Sequence, residues 1–114
     1  MTSQETGQSG DPGLGLSVRW EDDTALVLSG ELDLATAHIL QAALDRHGGD
    51  GDLTLDLAGL GFMDSTGIKI IITAARMLEG RGLLTLRSPA PPIRRVLELV
   101  QIDRVPGVKV EHLE

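Results

Sequence analysis

The sequence predicts an α/β domain built on a single mixed, mostly parallel sheet with an N-terminal antiparallel hairpin. Short segments of alternating apolar and polar residues, typical of half-buried strands, take turns with longer segments whose apolar residues recur at helical spacing. The first two strand segments follow each other directly across an acidic turn, which indicates a hairpin. The resulting order is ββαβαβαβ, with about three helices and five strands, and it favours one sheet joined by right-handed crossovers. A length of 114 residues suits one domain.

The hairpin is predicted from two short segments near the N-terminus. Residues 16–20, Leu-Ser-Val-Arg-Trp, alternate apolar and polar side chains as a half-buried strand does. Residues 21–23 are acidic and are expected to turn the chain. Residues 25–28 are apolar and form the returning strand, which Gly30 is expected to end.

A first helix is predicted over residues 35–45. Asp33 or Thr36 could cap its start, because both side chains can accept a hydrogen bond from a free backbone N–H. The expected apolar face contains Ala35, Ile39, Ala42, Ala43 and Leu44. A loop rich in glycine and aspartate at residues 47–52 ends this helix.

The second half of the chain repeats the strand and helix pattern. Residues 53–57 alternate as a strand, and residues 58–62, with two glycines, are expected to turn. Residues 64–66, Asp-Ser-Thr, signal the start of a second helix that reaches Leu78 before Gly80.

The C-terminal part predicts one more strand, helix and strand. Residues 83–86 form the fourth strand. Three prolines follow it and lead into a third helix over residues 93–100, since proline is tolerated in the first turn of a helix. Residues 108–110 form the last strand.

Composition excludes several classes of function. The chain has 10 Lys and Arg against 17 Asp and Glu, a net charge of −7, and its aromatic residues are Trp20 and Phe62 alone. Nucleic acid is therefore not expected as a partner. The absence of cysteine excludes disulfides and thiolate sites. Residues 1–15 are interpreted as a disordered leader rather than a signal peptide, and 112–114 as a short tail. No apolar run approaches the length of a membrane span, so a cytoplasmic protein is predicted.

The motifs for enzymes and metal sites are incomplete. Residues 61–69 contain two glycines and a lysine before a helix, but their spacing does not match a phosphate-binding loop. The histidines lack the spacing of metal ligands; they are His38, His47 and His112. The acidic loop residues miss the calcium-loop pattern; they are Asp45, Asp50 and Asp52. We therefore predict no catalytic residue, no metal and no cofactor.

The segment from Phe62 to Thr66 has two interpretations. Asp64 can be an ordinary helix cap, with Ser65 and Thr66 in the first turn. Alternatively, the apolar Phe62 and Met63 place exposed hydrophobic surface beside hydroxyl groups at a helix start. Such a position suits a phosphate, because free amides and the helix dipole favour an anion there.

Two motifs together resemble the anti-sigma factor antagonists, bacterial proteins that are single STAS domains. The sequence Gly30-Glu31-Leu32-Asp33 resembles the signature that follows the family's second strand. The stretch from Leu55-Asp56-Leu57 to Gly67 resembles its strand, loop and phosphorylation motif. The resemblance covers residues 16–111.

The resemblance implies a partner-switching regulator that is not an enzyme. In this family the unphosphorylated antagonist binds an anti-sigma factor, itself a serine kinase, and so frees a sigma factor. The kinase phosphorylates a hydroxyl that corresponds to Ser65, with Thr66 as second choice, and a PP2C-type phosphatase reverses the reaction. The protein is expected to be a monomer or a weak dimer.

The resemblance also implies a partner surface. Its residues are Glu31, Asp33, Phe62, Met63, Asp64, Ser65, Thr66, Gly67 and Lys69. Lys69 is a departure, because the family often has glycine there. An alternative role is a structural or sensory subunit of a larger stress-signalling assembly. A small α/β enzyme that uses Asp64 or Ser65 is the other alternative.

Overall fold

The sheet follows the chain order and agrees with the predicted fold class. The computed structural model describes residues 15–111, within which five strands form one sheet ordered β1-β2-β3-β4-β5. The elements are β1 Leu16–Asp22, β2 Ala25–Leu32, α1 Ala37–His47, β3 Leu53–Met63, α2 Ser65–Leu78, β4 Leu84–Arg87, α3 Pro91–Leu99, a 3₁₀ turn Ile102–Arg104, and β5 Val108–Glu111. Strand β1 pairs antiparallel with β2, and every other neighbouring pair is parallel. The predicted α/β class and element order are confirmed.

The helices are expected on one face of this sheet. Each parallel connection advances by one strand in the same direction, and such crossovers are right-handed in almost all proteins. Burial alternates along β4 and along the first part of β3, up to Leu57, with one set of side chains in the core. The core is aliphatic; its fully buried strand residues include Leu26, Leu28, Leu55, Leu57, Leu84 and Leu86.

The opposite set of side chains is polar and carries a small ionic cluster. The Arg87 guanidinium donates to Glu21 at 2.8 Å and to Asp56 at 3.0 Å. The hydrogen bonds that the guanidinium donates to these two carboxylates, to Glu21 first, raise the pKa of Arg87 above its ordinary value. The cluster joins β1, β3 and β4 across the sheet.

Two predicted strand ends were wrong. Strand β2 continues past Gly30 to Leu32, and β3 continues through the segment expected to turn at residues 58–62. Gly30 has φ +101°, and the carbonyl oxygen of Gly15 occupies the space that a Cβ would take. Gly59 lets β3 approach β2, since a Cβ there would lie 2.9 Å from the Ser29 Cβ. These glycines therefore allow irregular pairing and close approach rather than a chain reversal.

The predicted start and apolar face of α1 also needed correction. The helix begins at Ala37 rather than at residue 35, because residues 33–36 form a turn of their own. Ala35 lies in that turn and is exposed. Ala42 is exposed on the helix itself, whereas Leu40, which the predicted apolar face did not include, is fully buried. At the other end of the chain, α3 begins two residues earlier than predicted, at Pro91, as the tolerance of proline in a first turn permits.

The predicted leader and tail fall almost entirely outside the described residues. Of the leader, the structure describes Gly15, whose carbonyl oxygen accepts a hydrogen bond from the Glu31 N–H at 2.9 Å. The predicted tail, residues 112–114, lies beyond the described range. Within residues 15–111, no helix combines the length and apolar character needed to cross a membrane.

Candidate functional site

The ends of β2 and β3 bring the two sequence motifs together. In the parallel pair, Glu31 is registered with Phe62, and Leu32 with Met63. One residue further, the Asp64 N–H donates to the Leu32 carbonyl at 3.1 Å. The two motifs, about thirty residues apart in sequence, thus form one surface, which we call the switch surface (residues 31–36 and 62–69). Carboxyl ends of parallel strands are the usual location of binding sites in such folds.

Asp64 caps α2 as predicted. Its backbone is extended, and its Oδ1 accepts the Thr66 N–H at 2.9 Å and the Gly67 N–H at 3.4 Å. Ser65 is therefore the first helical residue, and it is exposed, whereas Thr66 is half-buried. Of the two candidate hydroxyl groups, that of Ser65 belongs to the more accessible residue.

The neighbouring loop is held by a buried threonine. Thr36 is 7% exposed, and its hydroxyl donates to the Glu31 carbonyl at 2.8 Å and accepts the Asp33 N–H at 3.0 Å. In return, the Asp33 carboxylate accepts the Thr36 N–H at 3.1 Å. The prediction that Asp33 or Thr36 caps α1 through its side chain was wrong: Thr36 holds the N-cap position, but within residues 15–111 its side chain makes no cap bond to α1. The Asp33 and Thr36 side chains instead tie the turn at residues 33–36 to the end of β2. The loop leaves Glu31 and Asp33 half-buried.

The apolar part of the switch surface differs from the prediction. Phe62 is 48% exposed, as expected, but Met63 is only 4% exposed and belongs to the core. The expectation of exposed surface at Met63 was wrong, because β3 extends through this residue and adjacent side chains of a strand point to opposite faces.

Leu34 contributes apolar surface that sequence reasoning missed. It follows Asp33 in the loop and is 78% exposed. The available signal was its position: a large apolar residue in a turn, outside the spacing of the following helix. Leu34 and Phe62 are the two exposed large hydrophobic residues of the switch surface.

Gly67 is buried, so it packs against the core and is not exposed to a partner. A Cβ at this position would lie 2.7 Å from Met63 Cγ and 2.8 Å from the end of the Leu32 side chain. The missing side chain lets the first turn of α2 lie directly on the ends of β2 and β3. Gly67 and Met63, both predicted as partner contacts, thus support the surface from beneath.

Lys69 is exposed and lies four residues after Ser65 in α2. Residues three or four apart on a helix are neighbours on its surface. In the sequence of the switch surface, Lys69 is the one basic residue, and the acidic residues are Glu31, Asp33 and Asp64.

Other polar groups lie away from this surface. His47 stacks on Trp20 with ring centroids 6.4 Å apart, and its Nε2 lies 3.1 Å from the Asp52 carbonyl oxygen. In the hairpin turn, hydrogen bonds from the N–H and the hydroxyl of Thr24 lower the pKa of Asp22 below its ordinary value. Among residues 15–111, no group of three or more His, Cys, Asp and Glu side chains is arranged to hold a metal ion.

Comparison with protein families places the chain in a known domain family. The family model described as "Mlab, STAS domain" matches residues 16–111. The chain belongs to the STAS domain family.

Solved STAS structures share its fold. An anti-sigma factor antagonist from Mycobacterium paratuberculosis is 28% identical, with 82% of each chain covered and a TM-score of 0.62. The anti-sigma factor antagonist SpoIIAA in its unphosphorylated form is 20% identical, with 84% of this chain and 87% of that chain covered and a TM-score of 0.63. A STAS domain protein from Planctomyces limnophilus is 18% identical, with 87% and 91% covered and a TM-score of 0.60. The chain therefore has the STAS fold and resembles anti-sigma factor antagonists.

Proposed function

We propose that this STAS domain is an anti-sigma factor antagonist controlled by phosphorylation of Ser65. In its unphosphorylated form it binds an anti-sigma factor that is a serine kinase, and thereby frees a sigma factor. The observation that carries the proposal is the exposed Ser65 at the start of α2, three residues after the exposed Phe62 at the end of β3. A partner that covers Phe62 and the start of α2 also covers the hydroxyl.

The physical effect of a phosphate at Ser65 follows from the charges around it. A phosphoserine carries about −1.5 to −2 charge at pH 7. The adjoining Asp64 carboxylate already accepts the Thr66 and Gly67 amides, and Glu31 and Asp33 lie on the neighbouring loop. The phosphate would add negative charge to an acidic surface and would have to be desolvated when a partner binds.

The expected size of the switch is that of an ordinary coupling between two sites. A coupling of about 1–3 kcal/mol corresponds to a change of about 5–150-fold in affinity. Because Ser65 is exposed and precedes the buried turn of α2, this change requires no refolding of the domain. We infer that the phosphate acts by local repulsion and desolvation.

In this proposal the domain is a substrate and a binding partner, not an enzyme. The nucleotide belongs to the kinase, so the domain needs no cofactor of its own. A PP2C-type phosphatase removes the phosphate and restores binding.

The experiment is a phosphorylation assay with each kinase-type anti-sigma factor of the source genome. Intact mass is compared for wild type, Ser65→Ala and the matched variant Thr66→Ala. Wild type and Thr66→Ala should gain the mass of one phosphate, whereas Ser65→Ala should not. Equal modification of Ser65→Ala and wild type would exclude Ser65 as the acceptor.

The second candidate role is that of a structural or sensory subunit of a larger stress-signalling assembly, and the matching family model, whose description names a STAS domain and neither a kinase nor a sigma factor, fits this role as well. In that role the domain is a subunit of a larger assembly and is not switched by a kinase. The two roles are separated by the same assay combined with affinity purification. Recovery of other STAS chains without a kinase, together with no gain in mass, would favour the second role.

A further inference from the structure

Lys69 lies where it can reach a phosphate on Ser65. Both residues are exposed, and they are four positions apart in the 14-residue helix α2. At this spacing the Cβ atoms of two helical residues are about 5–6 Å apart, and an anion that precedes a cation is the favourable orientation.

Among the charged residues of the switch surface, Lys69 is the one that can attract a phosphate on Ser65. Asp64 is adjacent in sequence and caps the helix, while Glu31 and Asp33 lie at the end of the neighbouring strand. His38, in the first turn of α1, is the nearest other titratable residue along the chain to the loop 31–36. In the sequence of the switch surface, Lys69 is the single residue with a permanent positive charge.

We propose that phosphorylation of Ser65 recruits the Lys69 ammonium to the phosphate, so that the modification changes two features of the switch surface at once. Without the phosphate, the exposed ammonium can reach a carboxylate on a partner. With the phosphate, the same ammonium lies against phosphoserine and is withdrawn from that contact. The inference rests on the proposed function, because it concerns the phosphorylated form of the same site.

The test uses protein in which phosphoserine is incorporated at position 65 during translation, so it needs no kinase. The second pKa of the phosphate is measured by phosphorus NMR titration. A nearby cation favours the dianion and lowers this pKa; Lys69→Gln should therefore raise it by about 0.2–0.4 units. Lys69→Arg should keep the wild-type value to within about 0.1 unit.

The matched control is Lys109→Gln, which removes an exposed lysine of β5, 57% exposed and paired with Glu111 at 3.6 Å. This variant changes the net charge equally but should leave the phosphate pKa unchanged. Equal pKa values in Lys69→Gln and Lys109→Gln would overturn the pairing. Failure of every kinase to modify Ser65 would instead refute the proposed function and leave this titration interpretable, so the two failures are distinguishable.

Discussion

The Thr36 hydroxyl holds the turn at residues 33–36 against the end of β2, and its removal tests how much these hydrogen bonds stabilise the switch surface. Thr36→Val keeps the shape of the side chain, so the packing of this 7% exposed position is retained. The substitution removes the bond to the Glu31 carbonyl at 2.8 Å and the bond from the Asp33 N–H at 3.0 Å. The turn bond from the Thr36 N–H to the Asp33 carbonyl at 3.2 Å stays in place.

The expected cost is about 1–3 kcal/mol of unfolding free energy, because two partly buried backbone groups lose their partner. Glu31 and Asp33 are half-buried, and water can reach part of the loop, which favours the lower half of this range. In a domain of this size each kcal/mol corresponds to about 4–8 °C in Tm.

Urea unfolding followed by circular dichroism measures this loss, with an unchanged slope against denaturant as evidence that the unfolded state is the same. Thr36→Ser is the matched control, since it keeps the hydroxyl, and it should retain more stability than Thr36→Val. Wild-type stability of Thr36→Val, or equal destabilisation by Thr36→Ser and Thr36→Val, would show that the Thr36 hydroxyl does not stabilise this turn.

Three further predictions concern packing, charge and pH. Gly67→Ala should cost about 1–3 kcal/mol in urea unfolding, because a Cβ there would lie under 3.0 Å from two core side chains; wild-type stability would contradict the close packing. Arg87→Met should cost about 0.5–1 kcal/mol at low salt, because it leaves Asp56 without its cation, and the loss should shrink when urea unfolding is repeated at high salt. Asp22 has a folded pKa below its ordinary 3.8, so its stabilising effect is present above that value and is lost as pH falls through the folded pKa. Asp22→Asn should therefore flatten the decline of Tm below about pH 4, and an identical decline in both proteins would show that the Thr24 hydrogen bonds do not stabilise the ionised form.

The sequence predicted the fold because its periodicities are clear and its helices begin and end at recognisable residues. Asp64 is an example: its side chain caps α2 where the sequence predicted. The two wrong strand ends lie at glycines. The local pattern predicts breaks at Gly30 and Gly59, yet in the structure these glycines permit close approach between neighbouring strands, which depends on contacts that a local pattern does not contain.

The switch surface could be predicted in part for the same reason. The Asp-Ser-Thr motif predicted that α2 starts at these residues, and in the structure Ser65 is the first residue of the helix. Burial was harder: Phe62 and Met63 are adjacent and both apolar, and only the extension of β3 through residue 63 decides which of them faces the core. Leu34 was missed because its exposure depends on the loop that Thr36 closes.

Control of partner binding by a phosphate at Ser65 is tested most directly by a comparison of affinities. Calorimetric titration of a kinase-type anti-sigma factor from the source genome is carried out with the unphosphorylated domain and with the domain carrying phosphoserine at position 65. Control of partner binding by the phosphate predicts that the unphosphorylated domain binds and that the affinity of the phosphorylated domain is about 5–150-fold weaker. Equal affinities for the two forms, or no binding of the unphosphorylated form to any such factor, would contradict it.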